Sequence, residues 1–312
     1  MTIKDRVFSV LQLYTALIKF RLSSFIVFSA LAGYFMAIEE IDLNQISCLI
    51  LGGFFITGSA NTLNQYIERK HDRFMKRTEN RPLASKSMSL FHAVTFAILI
   101  GAIGVYFLNQ ISEKTTCFNL LTKSSLFGII SLIIYVFVYT PLKRVSPISI
   151  LIGAIPGAIP FLLGWVAATD DFGFSAGVLF AIQFFWQFPH FIAISWILDD
   201  QYKNAGFKMM IGSKKGHLAA LTSFIAACFL TGVSIISWDV FNLNLDFHLS
   251  LFSGLIVFLL GISFCYRNWQ FLQKQDDSSA KKTLLSSYIY LSLIQIIYVI
   301  DNYWELSSKY TL

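Results

Sequence analysis

Apolar residues in this chain come in long continuous runs, not in the strict alternation of a half-buried strand. The runs cover about 22–38, 46–64, 90–109, 124–140, 148–168, 177–197, 217–236, 248–266 and 284–303. About 20 apolar residues let a helix cross the ~30 Å hydrocarbon core of a bilayer. Stretches such as Phe96 to Leu108 are apolar on every side, which excludes the ten-residue alternating segments of an outer-membrane barrel. The pattern predicts an all-α fold, a polytopic membrane protein of about nine transmembrane helices, with residues 1–312 forming one transmembrane domain. The longest polar stretches are Gln65 to Ser89, Leu198 to Gly216 and Asn268 to Lys282. None is long enough for a separate soluble domain.

Charge then orients the bundle. With the N-terminus cytoplasmic, 21 of the 24 Lys and Arg residues fall in inside segments, and only Lys114, Lys123 and Lys309 fall outside. This sorting is what the positive-inside rule requires. It also accounts for the formal charge of +6 without nucleic acid, since anionic lipid suffices as its partner. Only 13% of residues are charged and 55% are hydrophobic, against about 25% charged in soluble domains. The four cysteines, Cys48, Cys117, Cys228 and Cys265, lie far apart without metal spacing and read as apolar filler. The N-terminal segment carries Lys4, Asp5 and Arg6 without a small-residue cleavage site, so it reads as retained, in a bacterial-type plasma membrane.

Candidate chemistry gathers in three places. In the first polar stretch, Asn64, Glu68 and Asp72 are four apart, so a helix would bring them onto one face. Hard oxygen donors at a membrane mouth suit Mg²⁺, which takes one or two carboxylates and fills its shell with water and substrate phosphate. Arg73, Lys76, Arg77 and Arg81 follow at once and can grip phosphate oxygens. Together they describe a site for a metal-bound diphosphate. The same stretch also reads as a topology-setting loop laced with i,i+4 ion pairs.

The second place is Tyr139-Thr140-Pro141-Leu142-Lys143-Arg144. A helix that persists through Pro141 puts Tyr139 and Lys143 on one side, the phenol in the wall and the ammonium at the mouth. An interfacial Tyr followed by two positive-inside charges is the plainer alternative. The third is Trp186-Gln187-Phe188-Pro189-His190-Phe191, followed by Asp199, Asp200, Tyr202 and Lys203. A His within a crossing is costly unless it faces a cavity, a ligand or a partner, and Pro189 is expected to open the helix there. Asp199 and Asp200 offer a second magnesium site, or a helix cap and a partner for Lys203. Gly153, Gly157 and Gly164 with Pro156 and Pro160 make the fifth crossing a small-residue packing helix. Trp238, Trp269 and Trp304 read as interfacial belt residues.

In their order, these blocks resemble the protoheme IX farnesyltransferases, or heme O synthases, a branch of the UbiA-type intramembrane prenyltransferases. The resemblance rests on the Asn64-Glu68-Asp72 stripe, on Met75-Lys76-Arg77-Thr78 with Arg81-Pro82, and on Tyr139 to Arg144. It continues through Gly164-Trp165, Trp186 to Phe191, and Tyr202 with Ala205-Gly206 and Met209. Gln201 stands where family members usually carry an acid, and Met210-Ile211 replaces a frequent Leu-Pro.

The resemblance implies transfer of the farnesyl group of farnesyl diphosphate to a vinyl group of protoheme IX (heme B), giving heme O. Asn64, Glu68, Asp72, Tyr139 and Lys143 would be catalytic, and Asn64, Glu68, Asp72 and Asp200 would ligate Mg²⁺. Arg73, Arg77, Arg81, His190, Asp199, Asp200, Tyr202 and Lys203 would bind substrate. Heme O would pass to the next heme-modifying enzyme or a terminal oxidase. The alternatives are a UbiA-type enzyme acting on an aromatic or quinone precursor, and a transporter. Transport would place the site at the midplane between internal repeats, whereas here the charges cluster at one mouth.

Overall fold

The computed structural model describes residues 3–38, 40–116, 120–212, 214–241, 243 and 245–310, with side chains between residues 10 and 303. Cys117 and the side chain of Trp304 lie outside the described residues. Among the described residues the chain is helical, and its regular elements are α1 (Ile3–Leu17), α2 (Phe20–Phe35), α3 (Leu43–Asp72), α4 (Leu90–Asn109) and α5 (Lys123–Ile133). A π-helical turn, Ile134–Tyr139, joins α5 to the single turn α6 (Thr140–Leu142). Next come α7 (Ser149–Thr169), α8 (Phe174–Ile197), the short α9 (Asp199–Asn204), α10 (His217–Ser234), α11 (Leu251–Lys274) and α12 (Asp277–Tyr310). Eight spans are long and apolar enough to cross a bilayer, and α1 with α2, bent by 48°, supplies a ninth.

All nine expected crossings fall on these helices, but several ends differ. α3 runs eight residues beyond the apolar run that predicted it, so the whole acidic stripe is helical. α11 and α12 consume most of the stretch from Asn268 to Lys282, leaving a turn at Gln275 and Asp276. Asn268 is buried there, accepting from the Ser223 hydroxyl at 2.6 Å and donating to the Phe264 carbonyl at 2.9 Å. Polar residues end a hydropathy pattern without ending a helix, because the helix satisfies its own backbone.

α7 is the central helix, with 78% of its apolar window buried, against 28–50% for the other single spans. Its glycines explain that position. A Cβ on Gly164 would lie 1.8 Å from the Ala30 carbonyl oxygen, and α2 answers with Gly33, whose Cβ would lie 2.0 Å from the Phe161 carbonyl oxygen. Backbone meets backbone there, as small residues permit in a membrane. α7 continues unbroken through Pro156 and Pro160. A proline frees the carbonyl one turn earlier, and the Ser131 hydroxyl donates to that of Pro156 at 3.3 Å. Nor does Pro189 open α8, which is continuous from Phe174 to Ile197. α8 packs on α7, α10 and α12, and α12 returns to α2, closing the bundle around α7.

Candidate functional site

The mouth is built on the last two turns of α3. Asn64, Glu68 and Asp72 share one face, and all three are buried. Ionised carboxylates at such a place demand partners. Lys143, in the turn after α6, ion-pairs with Glu68, and Arg81 holds Asp72 through both carboxylate oxygens at 2.9 Å. Asn64 donates from Nδ2 to the Thr140 hydroxyl at 3.0 Å and accepts from Lys19 Nζ at 3.3 Å. The stripe is thus tied to three other segments of the chain.

The turn Ile134–Tyr139 positions the second group. A π turn just before Pro141 absorbs the carbonyl that proline would strike, and such turns recur at functional sites. The helix therefore persists past Pro141, and Lys143 Nζ lies 4.8 Å from the centre of the Tyr139 ring, within cation–π range. Tyr139 is buried against Gly153, where an added Cβ would approach the ring to 2.6 Å. The loop following α9 closes the other side. Phe207 brings its ring 5.6 Å from Lys143 Nζ, and the Lys208 amide donates to the Lys143 carbonyl at 2.7 Å. His71 anchors the same loop, with Nδ1 2.7 Å from the Ala205 carbonyl oxygen.

The remaining sequence candidates divide. Arg77 donates toward the Tyr202 hydroxyl at 3.4 Å, linking the first stretch to α9. Arg73 is exposed and donates from Nε to the Ala84 carbonyl at 2.8 Å, where it pins its own loop. Asp199 is buried against Lys203 at 2.7 Å, an i,i+4 pair, and that bond holds the exposed Lys203 ammonium above the ordinary lysine range. Asp200 is exposed in the first turn of α9. Among the described residues no three His, Cys, Asp or Glu converge on one point, so Asp200 does not join Glu68 and Asp72 in a ready-made cage. Gln201 carries a buried, unpartnered amide oxygen at the same turn.

His190 lies seven residues before the end of α8, roughly 10 Å inside the mouth at 1.5 Å per residue. It is buried, stacked on Trp186 at 4.6 Å, with Nδ1 2.9 Å from the Ser287 hydroxyl of α12. Ser287 gives its own proton to the Leu284 carbonyl at 2.6 Å. The hydroxyl therefore accepts from His190, which puts the ring proton on Nδ1 and leaves the Nε2 lone pair free.

Sequence reasoning missed Lys19, Thr140, His71, Gly153 and Phe207 as parts of this site. Lys19 carried a signal, a charge just before an apolar run, but counted only toward topology. The others became visible only when α3, α6 and the loop after α9 were brought together.

Chemically, the mouth offers two carboxylates and one amide oxygen on one face, surrounded by Lys19, Arg77, Arg81 and Lys143. Hard oxygens in that number fit Mg²⁺ only when water and phosphate oxygens complete its shell. The excess of cations fits the same polyanionic ligand.

Comparison with known proteins adds the context. Residues 26–294 match the sequence profile described as the UbiA prenyltransferase family. The chain is 41% identical over 295 residues to a protoheme IX farnesyltransferase of Christiangramia forsetii, covering 95% of each chain. It is 42% identical over 281 residues to one of Flavobacterium psychrophilum, covering 89% of this chain and 90% of that one. Among solved structures, a digeranylgeranylglyceryl phosphate synthase superposes with a TM-score of 0.76 at 17% identity, covering 94% of this chain and 98% of that one. A UbiA homolog from Archaeoglobus fulgidus bound to GPP and Mg²⁺ superposes with a TM-score of 0.63 at 15% identity, covering 92% of this chain and 99% of that one.

Proposed function

The chain belongs to the UbiA prenyltransferase family, and from that premise we propose that it transfers the farnesyl group of farnesyl diphosphate to a vinyl group of protoheme IX, producing heme O. The buried Asn64-Glu68-Asp72 face ringed by cations carries this reading, since it has the composition a metal-bound diphosphate needs. The protoheme IX farnesyltransferases aligned over nearly its whole length supply the acceptor. The Archaeoglobus homolog holding GPP with Mg²⁺ in the same fold supports the metal.

Asn64, Glu68 and Asp72 would hold Mg²⁺, which when bound offsets the negative charge that grows on the diphosphate as the allylic C–O bond breaks. Lys143 and Arg81 stand at the same atoms. Each is paired with a stripe carboxylate, and each can redirect donors to phosphate oxygens, so positive charge is preorganised where negative charge develops. Arg77 adds a third cation, steadied by Tyr202. The face of Tyr139 stabilises the allylic cation beside it. The vinyl terminal carbon bonds to C1 of the farnesyl cation, and the positive charge moves to the carbon next to the porphyrin ring. Water adds there and loses a proton, leaving the hydroxyethylfarnesyl side chain.

His190 presents a free Nε2 within the aromatic wall of Trp186, Phe191 and Tyr288, a surface suited to a flat porphyrin. Its role is to orient protoheme IX, through its iron or its ring edge. The distribution of Lys and Arg supports a bacterial inner membrane with the N-terminus and the mouth cytoplasmic. There the product passes to the next heme-modifying enzyme or to a terminal oxidase. The test is acceptor dependence. Purified protein with farnesyl diphosphate and Mg²⁺ is expected to release pyrophosphate on addition of protoheme IX, and release driven instead by an aromatic acid would move the assignment to the quinone branch.

A further inference from the structure

Gly153 and Gly157 lie four residues apart on α7, so their bare Cα atoms face nearly the same way, about 6 Å apart along the axis. Each notch is filled by a side chain from a different element. A Cβ on Gly153 would approach the Tyr139 ring to 2.6 Å, and a Cβ on Gly157 would lie 2.0 Å from Oε1 of Gln187 on α8. Gln187 Nε2 donates to the carbonyls of Ala154 at 3.0 Å and Gln183 at 3.1 Å. Both amide protons are thereby committed, which fixes the oxygen as the atom turned to Gly157. Gln187 is only 3% exposed, yet among the described residues its Oε1 accepts no hydrogen bond. Ser195 Oγ and Tyr290 Oη are unpartnered and sealed in the core, whereas Gln187 Oε1 keeps an open side.

That oxygen stands between the two halves of the proposed reaction. One turn nearer the mouth, on the same face of α7, is the Tyr139 ring with Lys143 Nζ 4.8 Å from its centre, the ring assigned to the allylic cation. Three residues further along α8 is His190, stacked on Trp186 in the wall assigned to protoheme IX. Joining the substrates leaves a cation on the carbon next to the porphyrin ring, and that cation has two exits. It loses a proton from the neighbouring methylene and becomes an alkene, or it takes up water. Apolar walls favour the alkene unless a water molecule is held in place. We propose that Gln187 is a further catalytic residue, whose Oε1 holds and aims the water that captures this cation, and that Gly157 is the positioning residue that makes room for it. The water donates one O–H to Oε1 and a lone pair to the carbon. As the C–O bond forms, the oxonium gives up a proton to the released diphosphate, the base that the reaction itself produces. The assignment rests on the reading of the chain as a heme farnesyltransferase.

Mass spectrometry of heme extracted after turnover by the purified full chain tests this through the ratio of hydroxyethylfarnesyl product to the alkene product, which is lighter by one water. The ratio is set within each productive molecule, so misfolded protein does not alter it. Gln187→Met keeps the volume and loses the acceptor, and is expected to lower the ratio about 5- to 10-fold against native protein extracted in parallel, as for one lost hydrogen bond. Gly157→Ala, with Gln187 intact but displaced, should lower it in the same direction. Gln187→Asn, whose amide is one methylene short, carries the test if the Met variant does not fold. An unchanged ratio in the Gln187 variant overturns the assignment alone. So does a variant that binds protoheme IX and forms neither product, because Gln187 is then needed before the C–C bond exists. Unmodified heme from folded native protein overturns the assignment together with the heme farnesylation reading.

Discussion

Nη1 of Arg81 donates to both carboxylate oxygens of Asp72 at 2.9 Å, with the Asp72 side chain only 1% exposed. Arg81 lies nine residues beyond the carboxylate, in the loop that follows α3, so the loop is folded back over the acidic face. The pair makes a buried carboxylate tolerable before substrate arrives. Under the proposed function it also keeps a planar donor poised for phosphate oxygens.

Arg81→Met should therefore act on stability as well as on chemistry. Leaving Asp72 charged and unpaired is expected to cost about 3–5 kcal/mol, seen as a lower thermal midpoint in detergent. The double variant Arg81→Met with Asp72→Asn should recover much of that stability and none of the turnover. A double variant as unstable as the single one would show that Arg81 acts through packing, not charge.

Gly153 gives Tyr139 its place. A Cβ at Gly153 would lie 2.6 Å from the Tyr139 ring, and Gly153→Ala must displace that ring or separate the π turn from α7. Overpacking of this kind costs about 1–3 kcal/mol, and turnover should fall about tenfold or more as the ring leaves Lys143. Tyr139→Phe keeps the ring face and should retain activity within about threefold, whereas Tyr139→Leu should lose it. Steady-state rates of the three variants at equal protein check this ordering.

His190 and Ser287 make a spectroscopic prediction. With the Ser287 proton committed to the Leu284 carbonyl, Nε2 is the nitrogen of His190 left without a hydrogen bond, and the proposed role gives it to protoheme IX. His190→Ala should shift the Soret band of the protein–heme complex, and Ser287→Ala should weaken heme binding about 10-fold or more as the ring loses its orienting partner. An unchanged Soret band in His190→Ala would reduce His190 to a joint between α8 and α12.

Removing Mg²⁺ with a chelator should abolish turnover and leave heme absorption unchanged, because the metal is asked to serve only the diphosphate. Loss of the heme spectrum on chelation would place the metal elsewhere.

Much of this was readable from residue order, for physical reasons. A bilayer imposes a minimum helix length, so nine crossings could be placed from hydropathy, and the four-residue spacing of Asn64, Glu68 and Asp72 carried onto a helix face. Their partners could not be read in the same way. Arg73 and Arg81 are alike in sequence, yet one pins the Ala84 carbonyl and the other holds Asp72. That choice is made by a loop whose course no periodicity encodes. The ends of α3 and α11 were misplaced because burial of polar side chains is a tertiary event, of Glu68 and Asp72 against Lys143 and Arg81 in one and of Asn268 against Ser223 in the other. Lys19 was hidden for the same reason, since its position depends on Asn61 and Gln65 reaching across from another helix.

Mass spectrometry of heme extracted after incubation with protoheme IX, farnesyl diphosphate and Mg²⁺, beside the Glu68→Gln variant, tests heme farnesylation at this mouth most directly. The native chain should yield heme heavier by one farnesyl group plus water, and the variant should yield unchanged heme. Unmodified heme from folded native protein, or equal product from both proteins, would contradict it.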